Sequence, residues 1–272
     1  MPIDYQSMHK TFSRAAKSYH DNAVLQKEVL SRLLERLDDE AKIDKNLQPQ
    51  NILDLGSGIG WAHASLKALF PSVKVTAVDF CEEMLQQIPD KTVSSVCADV
   101  HNLPFANNSF DVVFSNMLLH WSNEKDVFAE CLRILKPGGL LLASCLGETT
   151  LSELKEAFAF IDDLPHVHSF PALHDLGDEM LKQGFQQVVV NAEVLTLTYD
   201  ELPKLMADIK AAGGHNSDEA RKKGLFIPKN LQKLCQAYEI NRTDGRLPAH
   251  YEVVYVRGIK PATVGDIGLR IR

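Results

Sequence analysis

The 272-residue chain is 45% hydrophobic and 24% charged with a formal net charge of −7, a globular composition with room for one large or two small domains. The acidic balance argues against a general nucleic-acid binder, which carries a basic surplus, and five cysteines without a C-x-x-C pair argue against both a disulfide framework and a zinc site. No run nears the ~18 apolar residues of a membrane span and the N-terminus lacks an apolar signal core, so the expected compartment is the reducing cytoplasm.

From Phe12 to Leu37 the apolar positions Leu25, Val29, Leu33, Leu34 and Leu37 recur at helical spacing. They predict a helical N-terminal segment, closed by the polar connector DDEAKIDKNLQPQ. Strands then alternate with amphipathic helices. The expected order is strand Ile52–Leu55, helix Trp61–Phe70, strand Lys74–Val78, short helix Glu82–Gln87, and strands Val93–Cys97 and Phe110–Ser115. Helix Lys125–Leu135 follows, stopped by KPGG, and then strand Leu140–Cys145. Such alternation predicts an α/β, doubly wound fold with a parallel sheet covered by helices on both faces. Beyond about residue 150 the pattern changes to helices Leu151–Ile161 and Asp175–Gln183, a strand over roughly Gln187–Thr198, helices Glu201–Ala211 and Lys229–Glu239, and a last strand Tyr251–Ile259. GGHNSDEARKKGLFIP reads as a mobile loop and PATVGDIGLRIR as an unpacked tail.

The stretch ILDLGSGIG runs a strand into a glycine loop of the form D-x-G-x-G-x-G, from Asp54 through Gly56 and Gly58 to Gly60. A dinucleotide site wants a third glycine at 61, where Trp61 stands, and no Walker lysine follows, so neither a pyrophosphate nor a triphosphate is the natural ligand. The next strand ends at Asp79, 19 residues past Gly60, where an acidic residue grips both hydroxyls of a ribose. Phe80 is placed to lie against a base, and Asp99, at the third strand tip, to meet its exocyclic amine. Each has a plain alternative: Gly58 eases packing, Asp79 caps a helix. Three successive strand tips with fitting groups favour a nucleoside without phosphates.

ILDLGSGIG, VTAVDFCEEML, CADVHNLPFANNSFDVVFSNMLLHW and LRILKPGGLLL, spanning about Asn51 to Cys145, resemble the motifs of class I S-adenosylmethionine-dependent methyltransferases. The resemblance implies a mostly parallel seven-stranded sheet, S-adenosyl-L-methionine as cofactor with S-adenosyl-L-homocysteine as product, and no metal. Carried over, Asp54, Gly56, Gly58 and Gly60 pass under the methionine portion and Asp79 holds the ribose. Phe80, Asp99 and Val100 flank the adenine, Met84 packs against the base, and Asn116 lies beside the methyl. Amine methyltransferases acting on DNA or glutamine carry Asn/Asp-Pro-Pro-aromatic where this chain has SNMLLHW, which disfavours that class. His120 and Trp121 fall where an acceptor sits. Trp121 is a pocket wall; His120 is a base, a hydrogen-bond donor or a structural histidine.

FSRAAKSYHDNAVLQ (Phe12 to Gln26), LGETTLSELKEAF and DGRLPAHYEVVYVRGIKP are similar to segments of the malonyl-acyl-carrier-protein O-methyltransferases of biotin synthesis, extending the likeness over about Phe12 to Pro261. It implies esterification of the free carboxyl of a malonyl thioester on acyl-carrier protein or coenzyme A. A carboxylate is already ionised at pH 7 and needs aim rather than a general base. Tyr19, Arg14 and His120 are the donors on offer, with Tyr19 as gate and orienter. Arg221, Lys222, Lys223 and Lys229 form either a docking patch for an acidic carrier or a solvated loop.

The implied organisation is a single domain over 1–261, acting as a monomer, with a helical lid at 1–48 and a cofactor-binding core at 49–199. A helical insertion on the substrate side covers 200–248, the last strand 249–260, and a tail 262–272. Two other readings share this fold. SNMLLHW and PAHYEVVYVRGIK also resemble a complex I assembly factor of the arginine-hydroxylase type, and another small-molecule acceptor is compatible with the middle of the chain. Hydroxylation would need an iron or other oxidant site. The His166/His168 pair has no carboxylate to complete one and reads as surface or lid.

Overall fold

The computed structural model describes residues 4–213 and 228–262. The expected helical N-terminal segment is built from three helices. Helix α1 (Tyr5–Ala15) starts on Asp4, whose carboxylate accepts the Ser7 N–H at 3.0 Å. Helix α2 (Tyr19–Asn22) is a single turn and α3 (Val24–Ile43) runs for 20 residues. Periodicity reports the buried face of a run but not its breaks. Here the breaks coincide with the buried alanines Ala15, Ala16 and Ala23, small enough for the chain to bend close against the core.

The remaining elements, in order, are β1 (Asn51–Leu55), α4 (His63–Leu69), β2 (Lys74–Asp79), α5 (Glu82–Leu85), β3 (Ser94–Cys97), β4 (Phe110–Ser115), α6 (Glu124–Ile134), β5 (Leu135–Leu146), α7 (Ser152–Ala159), α8 (Leu173–Gln183), β6 (Gln186–Tyr199), α9 (Leu202–Ala211), α10 (Pro228–Tyr238) and β7 (Leu247–Ile259). The strands form one seven-stranded sheet in the order β3-β2-β1-β4-β5-β7-β6. The first five are parallel; β7 is antiparallel to both neighbours, so the sheet is mostly parallel, as expected. Side chains alternate between faces along a strand. Ile52, Val112 and Phe114 therefore join one core with Leu33 and Leu37 of α3, while Leu53, Leu55 and Val113 join a second with Phe128 and Met180 of α6 and α8. The order reverses between β1 and β4, which opens a crevice beyond the carboxyl ends of these strands.

The helix stops within a residue of where KPGG was expected to end it, but the motif itself lies inside a strand rather than ahead of one. Helix α6 ends at Ile134, Leu135 already pairs with Phe110, and the register then jumps so that Val112 pairs with Leu140. The four residues form a bulge inside β5. Gly138 takes φ +78°, and a Cβ on Gly139 would lie 2.8 Å from the Lys136 carbonyl oxygen and 3.1 Å from that of Asp111. Lys260 closes the bulge from β7, exchanging backbone hydrogen bonds of 2.9 Å with Gly138 and Gly139. The expected loop between α9 and α10 and the tail from residue 263 lie outside the described residues. No helix among the described residues is long and apolar enough to cross a membrane.

Because two of the three atoms crowding Gly139 are backbone oxygens that cannot rotate away, Gly139→Ala is expected to lower the unfolding free energy by about 1–3 kcal/mol. Urea denaturation of wild type and variant side by side checks this; an unchanged midpoint would show that the bulge has room.

Candidate active site

One cavity of about 810 Å³ occupies the crevice, with walls from the strand tips, the N-terminal helices, and the segments around α7 and α9. Its size is that of a site for a small molecule or cofactor.

At the root of the glycine loop, Gly56 and Ser57 donate their N–H groups to the Val78 carbonyl at 2.8 and 2.9 Å, folding the loop over β2. Gly58 (φ +53°) lines the cavity, and nothing lies within 4 Å of where its Cβ would be. The space a side chain would fill is left to a ligand. The Gly58 N–H donates to Asp79 Oδ2 and the Cys81 N–H to Asp79 Oδ1, both at 2.9 Å. Burial drives the Asp79 carboxyl upward to about 6; these N–H groups pull the other way and the nearby Asp54 charge adds to the rise.

Asp54 is buried, with the imidazole Nε2 of buried His63 3.0 Å from its Oδ2. The approach is off the hydrogen-bonding line, and Asp54 Oδ2 and both His63 nitrogens lack a hydrogen-bond partner among the described residues. A Cβ at Gly60 (φ +80°) would strike the His63 ring at 2.7 Å, so Gly60 makes room for this pair rather than lining the cavity. Sequence reasoning missed His63. Its only cue is the third glycine, which reads equally well as ligand clearance.

At the other side of Asp79, Phe80, Asp99 and Val100 line the cavity together with the buried Met84. Asp99 Oδ1 accepts the His101 N–H at 2.9 Å and meets His101 Nδ1 at 2.6 Å. Partial burial would raise this carboxyl, but the His101 hydrogen bonds outweigh it and hold it below its ordinary value. Phe80 is met edge-on by two rings of α1, His9 at 5.6 Å and Phe12 at 5.9 Å. Asn116 also lines the cavity, with its amide already engaged: Nδ2 donates to the Gln26 carbonyl of α3 at 3.0 Å and Oδ1 accepts from Ser144 Oγ at 2.9 Å. It pins a roof helix to the tips of β4 and β5.

The far end is walled by aromatic and histidine rings. His120 is buried; its Nδ1 accepts the Leu146 N–H at 3.3 Å. Burial, with His168 nearby, holds its pKa well below the usual histidine value. The ring is thus neutral, its proton sits on Nε2, and it is a donor rather than a free base. Trp121 stacks on His168 (5.1 Å, 27°) and meets Phe12 edge-on at 5.7 Å. The sequence placed His166 and His168 on the surface or lid without a carboxylate; both line the cavity, His168 is buried, and Asp162 Oδ1 lies 2.7 Å from His166 Nε2. His168 Nε2 donates to the His120 carbonyl at 2.9 Å, which explains its inward position.

Tyr19 lines the cavity with its ring stacked on Trp61 at 5.3 Å. Burial and the Asp79 charge push its pKa far up, so its hydroxyl keeps its proton. Arg14, expected beside it as a donor, is instead exposed and is not among the residues lining the cavity. The two are on successive helices, and the break between α1 and α2 turns them to different sides. Arg221, Lys222 and Lys223 lie outside the described residues; Lys229 is placed as backbone in the first turn of α10, its side chain outside the description.

Protonation of Asp79 removes the charge that ribose hydroxyls would donate to. Nucleoside-ligand affinity is therefore expected to be full above pH 7 and to fall below pH 6 with a slope approaching about tenfold per pH unit. Titration calorimetry with S-adenosyl-L-homocysteine from pH 5 to 8 measures it. The same slope in Asp79→Asn would assign the titration elsewhere.

A family profile described as "Methyltransferase domain" matches residues 53–143. A protein of Gallionella capsiferriformans named malonyl-acyl-carrier-protein O-methyltransferase is 42% identical over 274 residues, covering 96% of this chain and 92% of its own. One of the same name from Laribacter hongkongensis is 40% identical over 273 residues, covering 95% and 90%. Among solved structures, the YcgJ protein from Bacillus subtilis matches with a TM-score of 0.59 at 15% identity, over 85% of this chain and 99% of its own; it shares the fold.

Proposed function

The chain belongs to the malonyl-acyl-carrier-protein O-methyltransferase family, and from that premise we propose that it methylates the free carboxyl of malonyl-acyl-carrier protein, an early step of biotin synthesis. One observation carries this: a single cavity joins a glycine loop and a ribose-type carboxylate at one end to a donor-bearing, ring-lined chamber at the other. The first end fits S-adenosyl-L-methionine. Gly58 leaves clearance and Asp79 keeps lone pairs beyond its two backbone bonds, while Asp54 lies behind the loop against His63 and does not line the cavity. When bound, that cofactor would supply a sulfonium methyl open to in-line attack by a carboxylate oxygen, the C–O bond forming as the C–S bond breaks and S-adenosyl-L-homocysteine leaves.

The protein's part is aim and exclusion of water. The His120 Nε2–H and the Tyr19 hydroxyl are neutral donors for one carboxylate. Leu25, Leu146, Leu154, Leu197 and Phe170 supply apolar walls. No proton has to be taken up, because the acceptor is ionised at neutral pH. Arg221, Lys222, Lys223 and Lys229 are assigned to the acidic carrier on charge alone.

Incubation with methyl-labelled S-adenosyl-L-methionine and malonyl-acyl-carrier protein is expected to add one base-labile methyl, seen by mass spectrometry, and none to acetyl-acyl-carrier protein. No gain despite measurable cofactor binding would refute the acceptor. Tyr19→Phe is expected to lower kcat about 10- to 100-fold, the worth of one hydrogen bond to a charged group, with cofactor affinity nearly unchanged; an unaltered kcat removes Tyr19 from orientation. Reversing Lys222 and Lys223 to Glu is expected to raise KM for the carrier-bound substrate and not for malonyl-coenzyme A. Equal changes in both would place the docking surface elsewhere.

A further inference from the structure

We propose that His9, Cys81 and Glu83 form a zinc site that staples lid helix α1 to the turn following β2. An imidazole nitrogen of His9, Cys81 Sγ and a Glu83 carboxylate oxygen all lie within 4.8 Å of one another. Cys81 Sγ and Glu83 Oε2 are 3.3 Å apart. The edge between sulfur and oxygen ligands of a tetrahedral zinc, with Zn–S about 2.3 Å and Zn–O about 2.0–2.2 Å, is ~3.5 Å. Ser13, one turn along α1 from His9, converges on the same point. Its Oγ is 3.3 Å from His9 Nδ1 and 3.5 Å from Cys81 Sγ, and it donates to Glu83 Oε2 at 3.0 Å. A water or this hydroxyl completes four-coordination.

The ligand set decides the metal. Thiolate, imidazole and carboxylate together suit zinc, whereas magnesium and calcium take oxygen ligands. Cysteine spacing disfavours a paired-cysteine zinc site in this chain, but that rule does not reach a set with one cysteine and ligands drawn from two elements. Binding replaces the thiol proton that Cys81 shares with Glu83; the proton leaves to solvent, and no oxidation change is involved.

The site's position gives it a consequence. The Cys81 N–H holds Asp79 Oδ1, and the His9 ring packs against Phe80, so the cluster lies directly behind the ribose and base end of the cavity. His9 reaches it only while α1 is docked. Zinc therefore fixes α1 down and slows exchange through the lid. The effect on turnover rests on the methyltransferase reading; the binding does not.

The test is zinc competition against a chromophoric chelator on the full-length, metal-free protein, with His9→Gln, Cys81→Ser and Glu83→Gln alongside. One equivalent is expected in wild type, with affinity at least tenfold weaker in His9→Gln and in Cys81→Ser. If Cys81→Ser fails to fold, His9→Gln and Glu83→Gln, outside the closed core, carry the comparison. Trypsin cleavage at Lys10, Arg14 and Lys17 is expected to slow with zinc in wild type and not in His9→Gln. No stoichiometric equivalent, or equal affinity in all variants, overturns the site; binding without protection of α1 overturns the staple.

Discussion

Two backbone N–H groups, from Gly58 and Cys81, clasp the Asp79 carboxylate, and much of the cavity hangs on that clasp. One arm fixes the height of the glycine loop above the sheet. The other sets the course of the chain leaving β2, and so the place where Phe80 meets the rings of α1. A carboxylate buried this way is uncomfortable when ionised, as its upward shift shows. That discomfort is relieved when further donors arrive, which is the electrostatic condition for gripping a diol. The roof is held in a similar manner. Asn116 spends its amide on Gln26 of α3 and on Ser144, so strand tips and lid helices are one construction.

The far chamber is governed by a different constraint. Joining an anionic carboxylate to a cationic sulfonium makes two neutral products, so charge disappears on the way to the transition state. A fixed cation there would stabilise the acceptor before reaction more than during it. The chamber instead presents leucines, aromatic rings and neutral donors. His120 is kept uncharged by burial, with its Nδ1 turned to the Leu146 amide. Tyr19 keeps its proton. Both offer a donor to the chamber without adding charge.

Much of the core was legible because it is local. A run such as ILDLGSGIG carries its strand, its turn and its clearance within a few residues, and the acidic and aromatic groups of the next two strand tips follow at short spacing. What escaped the sequence depends on distance. The breaks that fold α1 and α2 over the cavity come from buried alanines, which periodicity cannot tell from helix interior. KPGG is a strong local stop, yet pairing with Phe110 and closure by Lys260 draw it into a strand. His63 is legible only through the space Gly60 leaves for it. The inward turn of His168 follows from a hydrogen bond to a carbonyl 48 residues away.

The strand order has a consequence for how the molecule is made. β7 sits between β5 and β6, so β6 has no hydrogen-bonded neighbour until the final strand is laid beside it. A chain emerging from the ribosome at about 5–20 residues per second can assemble the five parallel strands early. It must then carry a 14-residue β6 with both edges open until residues near 259 emerge. During that interval the growing chain carries an open edge on β5 and two on β6, and is then most exposed to mispairing with other chains. Closure by β7 pairs the free edge of β5 and the inner edge of β6 in one event, leaving β3 and β6 as the outer strands of the sheet, which makes the last strand a folding switch as well as a structural one.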